Sequence, residues 1–220
     1  VQASEIIGRA AAQLIDEAGH TWPEPELLGH LSAAQRAIVK LKPQALTQTE
    51  VMQLQPGAVQ ESPGHVLHRV TRNMGTDGNT PGDAVRRVDE AVLTRFDPGW
   101  ANDKRARDAV RHWMRDDQEP HVFYVEPPNT GNGYVEVTYA AQPPALTSPT
   151  DEIALSDDWE PALVAYVVSE ALAKESGAQS WQASQMHYER FLQQVSGSAE
   201  AKMRWDPKGA MKRQQGVADG

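Results

Sequence analysis

Both ends of this chain repeat their apolar residues at helical spacing and its middle does not. That switch of period constrains the fold more than any other feature. Near the start, Ile6, Ile7, Ala10, Ala11, Leu14, Ile15 and Ala18 fall on one helical face. Ser4 is a suitable N-cap, Glu5 sits in the first turn, and Gly19 is a fitting stop. A second helix is expected from about Pro25, with Thr21 as a candidate cap. Its stripe is Leu27, Leu28, Leu31, Ala34, Ile38 and Val39, and it ends before Pro43. Helical spacing returns after Leu155. Ser156, Asp157 and Asp158 offer caps, Pro161 sits in the first turn, and Trp159, Leu163, Tyr166, Val167 and Ala171 form the face to be buried. Ser176-Gly177 breaks this helix. A last one is expected over 178–195, with Trp181, Tyr188, Phe191, Leu192 and Val195 as its stripe.

Between about Ala45 and Pro149, glycine and proline become frequent and apolar residues alternate in short runs. Val51–Gln55 and His65–Met74 read as strands, bounded by Pro56-Gly57 and Gly75. Gly75–Gly82 reads as a mobile loop. Residues 84–95 are ambiguous, since Val85, Val88, Val92 and Phe96 suit a helix while 84–88 also suits a strand. His121–Glu126 and Tyr134–Tyr139 are the clearest strands. The seven residues Pro127–Gly133 between them suggest an antiparallel hairpin with a long loop. The expected fold class is therefore α+β: a four-helix body, two N-terminal and two C-terminal helices, with an inserted antiparallel β-module. The expected boundaries are 1–44 and 151–195 for the helical body, 45–150 for the β-rich module, and 196–220 for an extended C-terminal arm.

Composition removes whole classes of function. The chain has no cysteine, so disulfides and thiolate metal sites are out. Its formal charge is −9, from 30 acidic and 21 basic residues, which suits a wall that DNA slides past better than one that grips phosphate. No apolar run approaches the ~20 residues of a membrane span. The opening residues lack the basic and continuous apolar regions of a signal peptide.

No motif supplies chemistry. Of the seven histidines, His65 and His68 are the only close pair, and on a strand they point to opposite faces. Asp116-Asp117, Asp151-Glu152 and Asp157-Asp158 read as caps or solvated acids rather than a catalytic pair. The Gly75–Gly82 loop lacks a phosphate-binding GK[ST]. Arg105, Arg107, Arg111 and Arg115, interleaved with Asp103, Asp108, Asp116 and Asp117, read as a salt-bridged helix face. No cofactor, metal or catalytic residue is implied. Trp22, Trp100 and Trp113 read as core or interface.

The segment after Ser196 is basic on an acidic protein and carries two anchors of the kind found at interfaces. Met203, Arg204, Trp205, Lys208, Lys212 and Arg213 are the expected partner-binding residues of an arm that orders on a partner. Trp159, Trp181 and Tyr188 are the expected contacts between subunits.

Three stretches together resemble a known family. They are Leu27–Val39 followed by Lys42-Pro43-Gln44-Ala45; His121–Pro128 with Gly133–Tyr139 and Gln142–Leu146; and Leu155–Leu172 followed by Tyr188–Phe191. Phe96-Asp97-Pro98-Gly99-Trp100 fits the same pattern. This arrangement, covering roughly residues 4–195, resembles the head-to-tail adaptor (connector) proteins of short-tailed bacteriophages. The resemblance implies a structural virion protein at the head-tail junction, made in the host cytoplasm, and no catalytic residues. It implies a homo-oligomeric ring, twelve-fold, beneath the portal protein, with a tail nozzle or tail tube protein below. Genomic DNA would pass through the lumen without specific binding. The β-module would project outward or toward the tail. Rival readings from composition are another tail subunit, such as a terminator or nozzle, and a virion-carried wall hydrolase.

Overall fold

A computed structural model describes residues 1–175 and 177–205, with 198–205 as backbone alone. Among these residues the chain is α+β, with five α-helices and two sheets that are antiparallel apart from one short pairing. It divides into two compact units, Val1–Lys42 with Pro143–Gly220, and Pro43–Gln142.

In the helical unit, α1 (Ala3–Leu14) buries Ile6, Ile7, Ala10, Ala11 and Leu14 as its spacing requires. It stops earlier than Gly19. Ile15 takes the left-handed conformation, φ 56°, and is 92% exposed, and Ala18 is exposed as well. Neither joins the buried stripe. The local cause is Asp16, whose carboxylate accepts the N–H groups of His20, Thr21 and Trp22 at 2.8–2.9 Å and turns the chain back. Thr21 is therefore part of this turn and does not cap α2. Trp22 is buried and its indole donates to the Ala171 carbonyl at 3.0 Å.

Helix α2 (Glu24–Leu41) buries its expected stripe. Two polar side chains on its buried face accept hydrogen bonds from the returning chain. Ser32 Oγ accepts from Leu146 N–H, and Gln35 Oε1 from Ala154 N–H, each at 3.0 Å. Helix α3 (Glu90–Phe96) belongs to the other unit. Helix α4 (Glu160–Ala173) is buried on most of its circumference, as a central helix must be, and packs against α1, α2 and the last helix, α5. No side-chain cap holds its start, although three candidates precede it. Helix α5 (Ala178–Trp205) runs ten residues past the expected end at Val195. The stretch 196–205 is thus helical and not extended. Phe191, Val195 and Ser184 face inward, and Ser184 Oγ donates to the Ser169 carbonyl across the α4–α5 pair.

The second unit stacks two sheets. One has the order β1 (Thr47–Gln53), β7 (Tyr134–Ala140), β3 (Val66–Asn73). The other has the order β2 (Gly57–Glu61), β6 (Val122–Asn129), β5 (His112–Arg115), β4 (Arg86–Arg87). Leu67, Val70, Trp113, Phe123, Val125, Val135 and Val137 fill the space between them. The alternate residues Met114 and Tyr124 point to the other face of the second sheet. There they meet Trp100, Ala58 and Leu93 under α3 (Glu90–Phe96). Residues 84–95 thus hold both a two-residue strand and a helix capped by Asp89, whose carboxylate accepts Val92 N–H.

Two expectations fail here. Strands β6 and β7 do not form a hairpin, because each is central in a different sheet. The reason lies in Asn129, 1% exposed. Its Oδ1 accepts from Gly131 and Gly133 N–H, while its Nδ2 donates to the carbonyls of Arg107 and Asp108. The chain is thereby tied to residues 107–108 and crosses between sheets instead of folding back in one. Gly133 is required, since a Cβ there would lie 1.9 Å from the Asp108 carbonyl oxygen. The arginines 105–115 do not share a helix face either. Arg105 sits in a single 3-10 turn and pairs with Asp97 at 2.6 Å, and Arg115 lies on β5. The Gly75–Gly82 loop is organised by Asp77, which accepts from Asn79 and Thr80 N–H.

Candidate assembly surfaces

The carboxylates of this protein build turns. Backbone N–H groups hold Asp16, Asp77, Asp116 and Asp151 below the usual carboxylate range. The leading donors are Trp22, Asn79, Glu119 and Thr147 respectively. Glu26 is lowered by its hydrogen bonds from Lys174, at 2.7 and 2.8 Å. A general acid working near neutral pH needs a shift in the opposite direction. Burial lowers His68 and His187, favouring neutral rings. His112 Nδ1 lies 2.9 Å from buried Glu126, an isolated pair along the β5–β6 ladder. Among the described residues, no three His, Asp or Glu side chains are grouped to hold a metal.

Several large apolar side chains are presented outward. On α5, Trp181 (56% exposed), Tyr188 and Leu192 lie on one side, at spacings of seven and four residues. They border the buried face, where Tyr188 packs against Tyr166 and Phe191. On α3, Val92 and Phe96 stand one turn apart, and Phe96 is 82% exposed. The sequence leaves residues 84–95 ambiguous, with both side chains suited to a helix there; it is Leu93 between them that packs inward. The visible signal was Asp89 three residues before Val92, which fixes where the helix begins and so which face it turns to the sheet.

The structure separates the residues expected at contacts between subunits. Trp181 and Tyr188 are on the surface of α5, whereas Trp159 is 6% exposed and packed within its own unit. Met203, Arg204 and Trp205 belong to the last turns of α5, described as backbone. Lys208, Lys212 and Arg213 lie outside the described residues. Trp22, Trp100 and Trp113 are all core residues.

A protein-family model described as SU10 adaptor protein matches residues 1–213. The chain belongs to that family. SU10 adaptor membership bears out the resemblance read from the sequence and supports a phage adaptor role, structural and non-enzymatic, within the virion. It also implies association with portal and tail components. No curated protein matches the chain. No helix among the described residues of this SU10 adaptor is long and apolar enough to cross a membrane.

Proposed function

We propose that this protein is a head-to-tail adaptor that closes into a ring beneath the portal, joins it to the tail, and leaves a passage for DNA. The observation that carries the reading is the family match across nearly the whole chain. In this reading α1, α2, α4 and α5 act as a four-helix body forming the ring wall. The β-module faces tail components, and residues 196–220 form the arm that reaches the portal.

A closed ring needs two different patches per subunit. The exposed Trp181 and Tyr188 on α5 supply one of them; Trp159 is already buried within the subunit and adds to the core instead. Trp205 anchors the arm, with Met203, Arg204, Lys208, Lys212 and Arg213 around it. The net charge of −9 per copy favours a lumen that repels DNA and does not retain it.

The test is reconstitution with the portal protein of the same virus, followed by particle imaging and a truncation lacking Met203–Gly220. Twelve-fold rings on the portal are expected from the full chain, and loss of portal binding with an unchanged fold from the truncation. Six-fold assemblies that ignore the portal would favour a tail terminator or tube subunit. Undiminished binding by the truncation would remove the arm from the contact.

A further inference from the structure

On this acidic protein, three guanidinium groups line one groove without an ion pair among the described residues. The groove, about 660 Å³, lies in the β unit, lined by Arg86, Arg107, Arg111 and His112. Arg86 is on the short edge strand β4. Arg107 and Arg111 belong to the segment that runs along the end of β6, their N–H groups donating to the Pro128 and Glu126 carbonyls. All three arginines are exposed. None makes an ion pair among the described residues, whereas Arg9, Arg72 and Arg105 do. The groove also has two carboxylates. Asp108 already accepts the Thr130 hydroxyl, and Asp83 stands at the edge. His112 is taken up by Glu126.

The helical unit carries the opposite feature. Residues 143–175 hold seven Asp and Glu against a single Lys, and that Lys174 is engaged by Glu26. Within this segment Asp151 is occupied by its own turn and Glu160 by Arg9. Glu152, Asp157 and Asp158 remain exposed on the approach to α4. They are kept near one another by the chain start, which bridges to Glu152 through Gln2 and accepts from Ile153 N–H at Val1. Asp157 lies 3.5 Å from the Val1 amine, and among the described residues the side chains of Glu152 and Asp158 make no ion pair.

We infer that the Arg86–Arg107–Arg111 groove receives the Glu152–Asp157–Asp158 strip of a second copy of this chain. Guanidinium forks match carboxylates in pairs, which gives such a contact both orientation and strength. The contact is head-to-tail, because each copy offers a groove to one neighbour and a strip to the other, as ring closure demands. Nucleic acid is the weaker occupant. Grip on a duplex comes from many cations aligned along it, and this groove offers three on a protein of net charge −9. This inference rests on the ring reading above and adds the pair of surfaces that sets its direction.

The test uses full-length chains, checked for fold by circular dichroism and thermal melting. One variant carries Arg86→Glu, Arg107→Glu and Arg111→Glu; the other carries Glu152→Lys, Asp157→Lys and Asp158→Lys. Each alone is expected to lose copy-to-copy association about a hundredfold or more, by placing like charges opposite one another. Mixing the two should restore rings of alternating copies, since each variant's groove then meets an oppositely charged strip on the other. A single chain bearing all six changes should regain assembly. Native mass measurement and imaging on the portal read these outcomes, and portal capture is scored separately. Normal rings from the arginine variant would overturn the groove assignment and leave the ring reading standing, even if that variant lost DNA or tail protein. Absence of any ring from the wild-type chain would overturn both. Failure of the six-fold exchange to restore assembly, where both triple variants had lost it, would also reject the pairing.

Discussion

The helical unit and the β unit reach buried cores by different routes. In the helical unit each element carries its own instruction. A stripe at 3.6-residue spacing marks the face to be covered, and α4, apolar nearly all round, marks the helix that does the covering. In the β unit the decisive interactions are distant in sequence. β1 pairs with β7 across some ninety residues, as in Thr47 opposite Ala140, and the junction of the sheets depends on one asparagine and one glycine. Cores of the first kind degrade gradually when a side chain is trimmed. Those of the second kind have a few positions where a single atom is intolerable.

The sharpest attack on this contrast is Gly133→Ala. Its Cβ would run into the Asp108 backbone first and then the Asn129 amide, so the loss of stability should exceed ~4 kcal/mol. Hydrogen exchange read by peptide mass should show β6 and β7 opening while α4 stays protected. Equal loss of protection in α4 would mean that the units do not unfold separately, and the contrast would break. Next in size is Phe191→Ala, which empties a fully buried site against Tyr166 and Tyr188 and should cost about 3–5 kcal/mol. Faster exchange is expected in α4 and α5, with β7 unaffected. The smallest effect tests local backbone alone. Ile15→Gly relieves a β-branched residue held at positive φ and gives up almost no burial, so a gain of about 1 kcal/mol is expected in thermal unfolding. A loss there would show that the exposed Ile15 contributes a contact, and the turn would have to be treated as part of a surface.

The same contrast explains what was legible in the sequence. α1, α2 and α4 were readable because their stripes are local, and so were β3, β6 and β7 as individual strands. The separation of β6 from β7 was not. Two strong strands joined by a Gly- and Asn-rich link present a hairpin signal, and the bonds from Asn129 to Arg107 and Asp108 leave no trace in spacing. The exposed faces were hardest. Phe96 and Ile15 obey an apolar pattern yet lie outside the core, one because Asp89 sets the helix phase and the other because Asp16 ends the helix early. The ten extra residues of α5 continue without a stripe of their own, which periodicity cannot detect. The arginine groove collects residues from four separate stretches of chain, so only the folded β unit could reveal it.

The helical unit is assembled from both ends of the chain, residues 1–42 and 143–220, with the whole β unit made in between. During synthesis, α1 and α2 therefore leave the ribosome long before α4, the helix on which both of them pack. At ~5–20 residues per second this gap lasts roughly 5–25 s. For that interval two greasy helix faces are uncovered in a cell crowded with sister nascent chains. The hazards are premature pairing between copies and capture by chaperones, and both end only when α4 emerges.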